Sequence, residues 1–183
     1  MRFFDVTLSI IGLIIFTPFL LFICILVATT SKGSAIFVHQ RVGKGCQKFN
    51  CYKLRTMYVG SDKNGNYMTK KNDKRITPLG HFLRKYSIDE LPQLYNVIKG
   101  DMSLVGPRPD TPFQKSLVAP EEWEKRHTIL PGITGLAQIK ARHIASPQER
   151  LSYDLFYVDN ISYYLYFKII MITIVQLFTS PSY

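Results

Sequence analysis

The longest apolar stretch of the chain lies near its N-terminus, where residues 6–30 contain no charged side chain. About 20 apolar residues are enough for a helix to cross the hydrocarbon core of a bilayer, so this stretch predicts a membrane helix. Pro18 falls near its middle, where a proline removes a backbone donor and predicts a bend. The hydroxyl of Thr17 is suited to satisfy a carbonyl that the bend frees. A bent helix either crosses at a tilt or enters one leaflet and returns to the same face, and the pattern leaves both topologies open.

Beyond Lys32 the pattern changes to short segments separated by turn residues. Residues 36–40 and 47–54 predict two strands, and the turn-rich segment 41–45 between them predicts a β-hairpin. Residues 60–78 are polar, rich in Asn, Gly and Lys, and without apolar periodicity, which predicts a surface loop.

Helices are predicted for much of the remainder. Ser87 and Glu90 have the spacing of an S-x-x-E capping box, so we expect a helix that begins there, runs to Ile98 and stops before Gly100. Segment 161–178 is apolar, but tyrosines at its start and an internal lysine favour an interfacial helix over one at the bilayer centre. Further helices are expected in residues 79–85, around 121–126 within 112–130, and in 146–160, with a turn at 131–135.

Length and charge limit the possible functions. The chain has 183 residues, so we expect a membrane element at 1–31 and one catalytic domain at 32–183. A net charge of +10 suits nucleic acid, anionic lipid or a polyanionic substrate equally. The sequence has no zinc-finger spacing, RRM signature or isolated basic helix, so nucleic acid is not an expected partner. Its three cysteines have neither the even count of a disulfide framework nor the spacing of a zinc site.

Two adjacent carboxylates, Asp89 and Glu90, are the strongest chemical signal in the sequence. An acidic pair among cations suits a phosphate site, because the cations hold the anion and a carboxylate reacts with it or binds a metal. The alternative is purely structural: Glu90 completes a capping box and Asp89 complements the helix dipole. Pro92 predicts an irregular first turn and weakens that alternative slightly. The cations of the same segment are Arg84, Lys85, Lys99 and Arg108.

A functional pair would divide the work between two roles. An aspartate such as Asp89 can accept a phosphoryl group and form a reactive acyl phosphate. Glu90 is then placed to hold Mg²⁺, which neutralises a diphosphate while it is attacked. Together with the apolar N-terminal stretch, the pair indicates phosphate chemistry at a membrane surface.

Several motifs in succession resemble those of one family. They are Arg2-Phe4-Asp5 at the start, YKLRTM at 52–57, LRKYSIDELPQL at 83–94, GDMSLVGPRP at 100–109 and PGITGLAQ at 131–138. In these motifs the chain is similar to the monotopic phosphoglycosyl transferases of the bacterial sugar transferase family, which load a phospho-sugar onto polyprenol phosphate. The resemblance runs from residue 2 to about residue 170.

This resemblance implies roles for individual residues. Asp89 would be the nucleophile and Glu90 a Mg²⁺ ligand. Family members bend their membrane helix at a Ser-Pro pair so that both ends stay cytoplasmic, and here Thr17 and Pro18 occupy those positions. Leu54 stands where Phe is frequent, which changes packing and not chemistry. The substrate-binding residues expected by the resemblance are Lys53, Arg55, Arg84, Arg108, Arg142 and Asp154.

The expected fold is therefore α/β: a small, mostly helical domain with a β-hairpin, anchored by an N-terminal re-entrant membrane helix and by interfacial amphipathic helices. It would lie on the cytoplasmic face of the bacterial inner membrane, in contact with phospholipid. The expected reaction uses Mg²⁺ and moves a phospho-sugar from a UDP-sugar to polyprenol phosphate, undecaprenyl phosphate above all. An aspartyl phospho-sugar intermediate forms and UMP leaves.

Two alternatives stay open on the sequence. In the first, water replaces the lipid acceptor and the protein is a Mg²⁺-dependent nucleotide-sugar pyrophosphatase. In the second, the protein is a basic membrane adaptor without enzymatic activity. The sequence does not show which sugar is used. Analogy with small family members favours an N-acetylated amino or deoxyamino sugar, and the oligomeric state is not predicted.

Overall fold

The structure is a computed structural model that describes residues 1–30, 33–61, 73–140 and 146–179. Helices dominate the described residues, with two small sheets among them. The α-helices are α1 (Arg2–Thr30), α2 (Pro78–Lys85), α3 (Gln93–Lys99), α4 (Pro120–Arg126), α5 (Leu136–Lys140), α6 (Pro147–Asp159) and α7 (Tyr163–Thr179). The strands are β1 (Ile36–Val42), β2 (Lys48–Leu54), β3 (Ser103–Val105) and β4 (Gly132–Thr134), and 3₁₀ turns lie at Lys44–Cys46, Ile88–Glu90 and Pro112–Leu117.

The predicted hairpin is confirmed. Strands β1 and β2 are antiparallel, with Ile36 opposite Leu54 and Val42 opposite Lys48. The first strand is two residues longer than the sequence pattern predicted, so Arg41 belongs to β1 and not to the turn. Because side chains alternate between the faces of a strand, Arg41 lies on the same face as Lys53.

The second sheet is a short parallel pair that the sequence analysis did not predict. Ser103 of β3 lies opposite Gly132 of β4, and Val105 lies opposite Thr134. The two backbones approach so closely that a Cβ atom on Gly132 would collide with the backbone nitrogen of Gly106. The segment predicted as a glycine turn is thus a strand that supports the loop leading to Arg108.

The prediction of a helix that begins at Ser87 is wrong for the first half of that segment. Ser87 has a positive φ of 55° and its side chain caps nothing, so the expected capping box does not form. Residues 88–90 make one 3₁₀ turn, and α3 begins only after Pro92. Proline cannot donate to the preceding turn and clashes with its carbonyl, which separates the two segments. The expected stop is confirmed, since Gly100 ends α3 with a φ of 100°.

Other helices follow the predictions closely. Helix α2 begins at Pro78, and α6 begins with a true capping box between Ser146 and Glu149. Helix α4 matches the predicted segment 121–126, while a 3₁₀ turn precedes it. Helix α7 covers most of 161–178. Of the predicted loop at 60–78, residues 62–72 lie outside the described residues.

Helix α1 packs against the rest of the domain at its C-terminal end and near its middle. It is 29 residues long, with a mean hydropathy of 3.0 in its most apolar window, and it is long and apolar enough to cross a membrane. Near its C-terminal end, Ile23 and Val27 are buried against Leu54 and Leu83. Near its middle, a Cβ atom on Gly12 would lie 3.1 Å from the side chain of Leu94. One face of α1 is therefore part of the protein core.

Pro18 lies inside this helix, which the structure describes as one element from Arg2 to Thr30. The Thr17 hydroxyl donates to the carbonyl of Leu13 at 2.6 Å. The carbonyl that Pro18 leaves without a donor is that of Ile14, one residue later. Thr17 thus bonds the backbone next to the freed carbonyl, and the bend expected at Pro18 stays a prediction.

A buried carboxylate fixes the N-terminal end of α1. Asp5 accepts hydrogen bonds from the Ser103 hydroxyl at 2.9 Å, from the Leu104 backbone N–H at 2.9 Å and from the Tyr166 hydroxyl at 2.7 Å. Arg2 donates to the carbonyls of Ile98 at 3.0 Å and Met102 at 3.2 Å. These bonds join α1 to α7 and to the strand that leads toward Arg108.

Candidate active site

A shallow cleft opens between the hairpin, the 3₁₀ turn of residues 88–90 and the segment after β3. Its walls combine three cations, one carboxylate and the backbone of β4. The lining residues are Arg41, Cys51, Lys53, Glu90, Gln93, Arg108, Pro109, Gly132 and Ile133. Most of the charge that faces this cleft is positive, which suits an anionic ligand.

Glu90 is the carboxylate that faces the cleft. One of its oxygens, Oε1, accepts from the Lys53 ammonium at 2.6 Å and from the Arg108 guanidinium at 3.1 Å. Burial alone would raise the pKa of Glu90, but the charges and hydrogen bonds of these two cations outweigh burial and lower the pKa to about 2. Glu90 is therefore ionised at neutral pH.

Asp89 lies beside Glu90 but is only 7% exposed. Burial, followed by the negative charge of Glu90, raises the pKa of Asp89 to about 6. The cations Lys53, Arg84 and Arg108 partly oppose this rise. Two adjacent carboxylates thus have pKa values shifted in opposite directions, which is the pattern of a site that gives them different chemical roles.

Arg84 reaches this region from α2. Its Nε donates to the Thr56 hydroxyl at 2.8 Å, which fixes the side chain near the end of β2. Its positive charge lowers the pKa of Asp89, so Arg84 lies close to that carboxylate. The structure therefore brings four predicted residues together around Asp89, namely Glu90, Lys53, Arg84 and Arg108.

Asp154 is joined to the site by Arg126, a residue that the sequence analysis did not identify. Its Oδ2 accepts from Arg126 Nε at 2.9 Å and from Nη2 at 2.7 Å. Arg126 Nη2 also donates to the backbone carbonyl of Arg108 at 3.0 Å, and Arg126 forms an ion pair with Asp110. Asp154 is thus a positioning residue, which holds Arg126 against the backbone beneath Arg108.

Two other predicted residues are placed differently. Arg55 is 8% exposed, and its Nη2 donates to the Val27 carbonyl at 3.2 Å, so it joins β2 to the end of α1. It does not line the cleft. Arg142 lies outside the described residues. The substrate-binding roles of both residues stay predictions.

Arg41 lines the cleft, although no sequence motif pointed to it. The sequence offered one usable signal: with β1 extended to residue 42, the alternation of side chains places Arg41 on the face of Lys53. Arg126 offered no such signal, because its contacts with Asp110 and Asp154 join distant parts of the chain.

The site fits a magnesium ion of the kind that substrate phosphates help to bind. The described residues contain no group of three or more potential metal-binding side chains. Mg²⁺ needs fewer, because it usually takes one or two carboxylates and completes its shell with phosphate oxygens and water. Glu90 supplies an ionised carboxylate in the cleft, with one oxygen already held by Lys53 and Arg108.

Comparison with known proteins identifies the family of the chain. The model of the family described as "Bacterial sugar transferase" matches residues 1–180, and the chain belongs to this family. An uncharacterized sugar transferase of Bacillus subtilis (strain 168) is 41% identical, over 98% of this chain and 87% of its own length.

Two further relatives carry more detailed names. A UDP-N-acetylgalactosamine-undecaprenyl-phosphate N-acetylgalactosaminephosphotransferase of Aeromonas hydrophila is 36% identical, over 96% of this chain and 43% of its own length. A UDP-glucose:undecaprenyl-phosphate glucose-1-phosphate transferase of Klebsiella pneumoniae is 39% identical, over 97% and 40% respectively. The chain thus spans less than half the length of these two relatives.

Replacing Asp154 by Asn should weaken both activity and stability, because it removes the charge that holds Arg126. We expect turnover to fall about tenfold or more and the free energy of unfolding to fall by about 2 kcal/mol, as for other partly broken buried pairs. Urea unfolding followed by the fluorescence of the single tryptophan, Trp123, measures the second effect. Asp159 of the same helix, half exposed and paired with Lys125, provides the matched control. Asp159→Asn should change neither quantity, and equal behaviour of the two variants would contradict the positioning role.

Proposed function

We propose that the protein transfers a phospho-sugar from a UDP-sugar to polyprenol phosphate, in particular undecaprenyl phosphate, to give polyprenyl diphosphate sugar and UMP. The observation that carries the proposal is the carboxylate pair, in which a buried Asp89 lies beside a Glu90 held ionised by two cations. Membership of the bacterial sugar transferase family supports it. The names of the Aeromonas and Klebsiella relatives supply the donor class and the acceptor. This reaction would be the first membrane step of bacterial glycoconjugate or polysaccharide synthesis.

In the first half-reaction, an Asp89 carboxylate oxygen attacks the β-phosphorus of the UDP-sugar. The bond from this phosphorus to the bridging oxygen breaks, UMP leaves with that oxygen, and the phospho-sugar remains on Asp89 as an acyl phosphate. Lys53, Arg84 and Arg108 stabilise the negative charge that accumulates on the phosphate oxygens. Asp89 must be ionised to attack, and with a pKa of about 6 it is largely ionised at neutral pH.

In the second half-reaction, a phosphate oxygen of polyprenol phosphate attacks the phosphorus of the acyl phosphate. The bond between phosphorus and the Asp89 oxygen breaks, which regenerates the carboxylate and forms the diphosphate of the product. The bond between the sugar and its phosphate is never broken. A sugar's identity therefore affects binding and not the reacting atoms.

Glu90 is the residue that would hold Mg²⁺. When bound there, the ion would neutralise part of the diphosphate charge and polarise the phosphate under attack. Lys53 and Arg108 would remain beside the same phosphates, because both side chains already lie against Glu90.

We place the protein on the cytoplasmic face of the inner membrane, with α1 re-entering the same face. Both ends of α1 contact the catalytic domain, through Asp5 at one end and Val27 at the other, which favours a helix that stays on one side. Its opposite face exposes large apolar side chains, for example Ile14, Ile15 and Phe22, which suit contact with lipid. Helix α7 exposes Tyr164, Met171 and Phe178, as expected for an interfacial helix.

Cysteine labelling tests this topology. In a background with Cys24, Cys46 and Cys51 changed to serine, single cysteines at Phe3 and at Ser34 should react with a membrane-impermeant reagent only from the cytoplasmic side. Pro18→Ala should straighten α1 and raise the fraction of molecules labelled at Phe3 from outside. Labelling of Phe3→Cys from outside in the protein with Pro18 intact would contradict the re-entrant topology.

Trapping of the intermediate tests the covalent mechanism. Protein mixed with UDP-sugar and Mg²⁺ in the absence of lipid should release at most one equivalent of UMP and gain the mass of a phospho-sugar on the peptide that carries Asp89. Asp89→Asn should abolish the adduct and turnover, because a neutral amide is a poor nucleophile, while Asp159→Asn should form the adduct normally. Kinetics that require both substrates at once, with no adduct by intact mass, would contradict the nucleophilic role.

The same experiment separates the alternatives. A pyrophosphatase would release UMP repeatedly without lipid, whereas a transferase needs polyprenol phosphate for a second turnover. An adaptor would tolerate Asp89→Asn. A panel of UDP-sugars, including UDP-glucose and UDP-N-acetylgalactosamine, then identifies the preferred sugar.

Magnesium titration tests the role of Glu90. Glu90→Gln should lower activity because an amide binds Mg²⁺ more weakly, and part of the loss should be recovered as the Mg²⁺ concentration rises. The half-saturating Mg²⁺ concentration is the measured quantity. Activity that is equally low at every Mg²⁺ concentration would contradict the ligand role and leave Glu90 as the partner of Lys53 and Arg108 only.

A further inference from the structure

Arg41 is a cleft residue to which neither the family motifs quoted above nor the proposed mechanism gives a role. Its guanidinium is held at two points: Nε donates to Nε2 of His39 at 2.7 Å, and Nη1 donates to the Pro109 carbonyl at 3.3 Å. Both partners are neutral. Among the described residues, Arg41 forms no ion pair with a carboxylate, and Nη2 donates to no acceptor of the protein. The guanidinium on the wall of the cleft is thus charged, and its Nη2 group is available to donate to a ligand.

This arrangement leaves positive charge in the cleft that the carboxylates of the described residues do not pair. Lys53 and Arg108 share the single carboxylate Glu90, and Arg41 adds a third cation to the same wall. A partly buried guanidinium without a counter-ion is unfavourable unless a ligand supplies the negative charge. A diphosphate is a ligand of this kind, and a guanidinium is suited to bind its oxygens by paired donors.

The pairing of the cleft cations indicates which phosphate Arg41 would meet. Lys53 and Arg108 both contact Glu90, whereas Arg41 lies on the side of the cleft formed by β1 and Pro109. With the β-phosphate reacting at Asp89, the α-phosphate is the remaining anionic group of the donor diphosphate. Arg41 is the cation of the cleft wall that Glu90 does not pair, and it is therefore available to this phosphate.

His39 is the residue that orients this guanidinium. Burial, followed by the charges of Arg41, Lys53 and Arg108, lowers the pKa of His39 to about 3, so the imidazole is neutral at working pH. Its Nε2 then accepts the Arg41 Nε–H. The ring is also packed edge to face against Phe37, with 5.2 Å between ring centroids. A neutral acceptor holds the guanidinium in place without cancelling the charge that a ligand needs.

We propose that Arg41, oriented by His39, binds the α-phosphate of the UDP-sugar, the phosphate that leaves with UMP. This inference rests on the proposed transfer reaction and adds a donor-binding residue to it.

The two half-reactions make the proposal testable by kinetics. In a two-step displacement, kcat/KM for each substrate reports its own half-reaction. Arg41→Gln should lower kcat/KM for the UDP-sugar by about 10- to 100-fold, the range that charge-assisted hydrogen bonds supply. Binding of UMP, measured by calorimetry with the full-length protein, should weaken by a similar factor. Lys48→Gln, an exposed lysine on the same hairpin, is the matched control for the loss of one positive charge and should behave like the wild type.

Variants of His39 test its positioning role. His39→Leu removes the acceptor and should weaken UMP binding in the same direction as Arg41→Gln, whereas His39→Gln retains a neutral acceptor and should recover most of the binding. A purely structural role in packing against Phe37 would instead be seen as equal losses in the two variants.

Each remaining outcome has a distinct meaning. UMP binding that is unchanged in Arg41→Gln overturns the assignment of the α-phosphate. A wild-type protein that neither binds UMP nor releases it from any UDP-sugar overturns the proposed function itself. Thermal unfolding followed by Trp123 fluorescence checks that Arg41→Gln is folded, and Arg41→Lys, which keeps the charge without the paired donors, should show an intermediate loss.

Discussion

The carboxylate of Glu90, shared between Lys53 and Arg108, is the interaction around which the site is organised. It joins β2, the 3₁₀ turn of residues 88–90 and the segment after β3, which are distant in sequence. Because two cations hold Glu90 ionised, its charge raises the pKa of the neighbouring Asp89 in addition to burial. The same cations leave the cleft positive overall. One ion cluster therefore sets the shape of the site, the difference between its two carboxylates and its preference for an anion.

The parts of the fold that sequence patterns predicted are those decided by local interactions. The capping box predicted between Ser87 and Glu90 does not form, whereas one that was not predicted forms between Ser146 and Glu149. The difference lies in Pro92, which ends the first turn before a helix can continue, and in the left-handed backbone at Ser87. Strand β3 was missed because it is only three residues long and is stabilised by the close approach of a distant glycine segment. Its length gave no periodicity to detect.

In the candidate site, too, residues from short motifs were predicted, whereas contacts that depend on how distant helices pack were not. Asp89, Glu90, Lys53, Arg84 and Arg108 come from short motifs, and the structure brings all five together. The layer beneath them could not be predicted, because the contacts of Arg126 with Asp154 and with the Arg108 backbone depend on how α4 and α6 pack. Arg55 lies within a site motif and yet contacts the end of α1. Membership of a motif thus placed a residue near the site without specifying the direction of its side chain.

The packing of α1 bears on how such a protein can be handled in the laboratory. An apolar N-terminal helix is usually treated as a removable tether, and its deletion as a route to a water-soluble enzyme. Here deletion would uncover Leu54 and Leu83 beside the hairpin and would leave the Tyr166 hydroxyl and the Leu104 N–H without their acceptor. A shortened chain would therefore lose part of its interior along with its lipid contact. Detergent or nanodisc preparations of the longer chain are the appropriate material for crystallisation and for inhibitor screening.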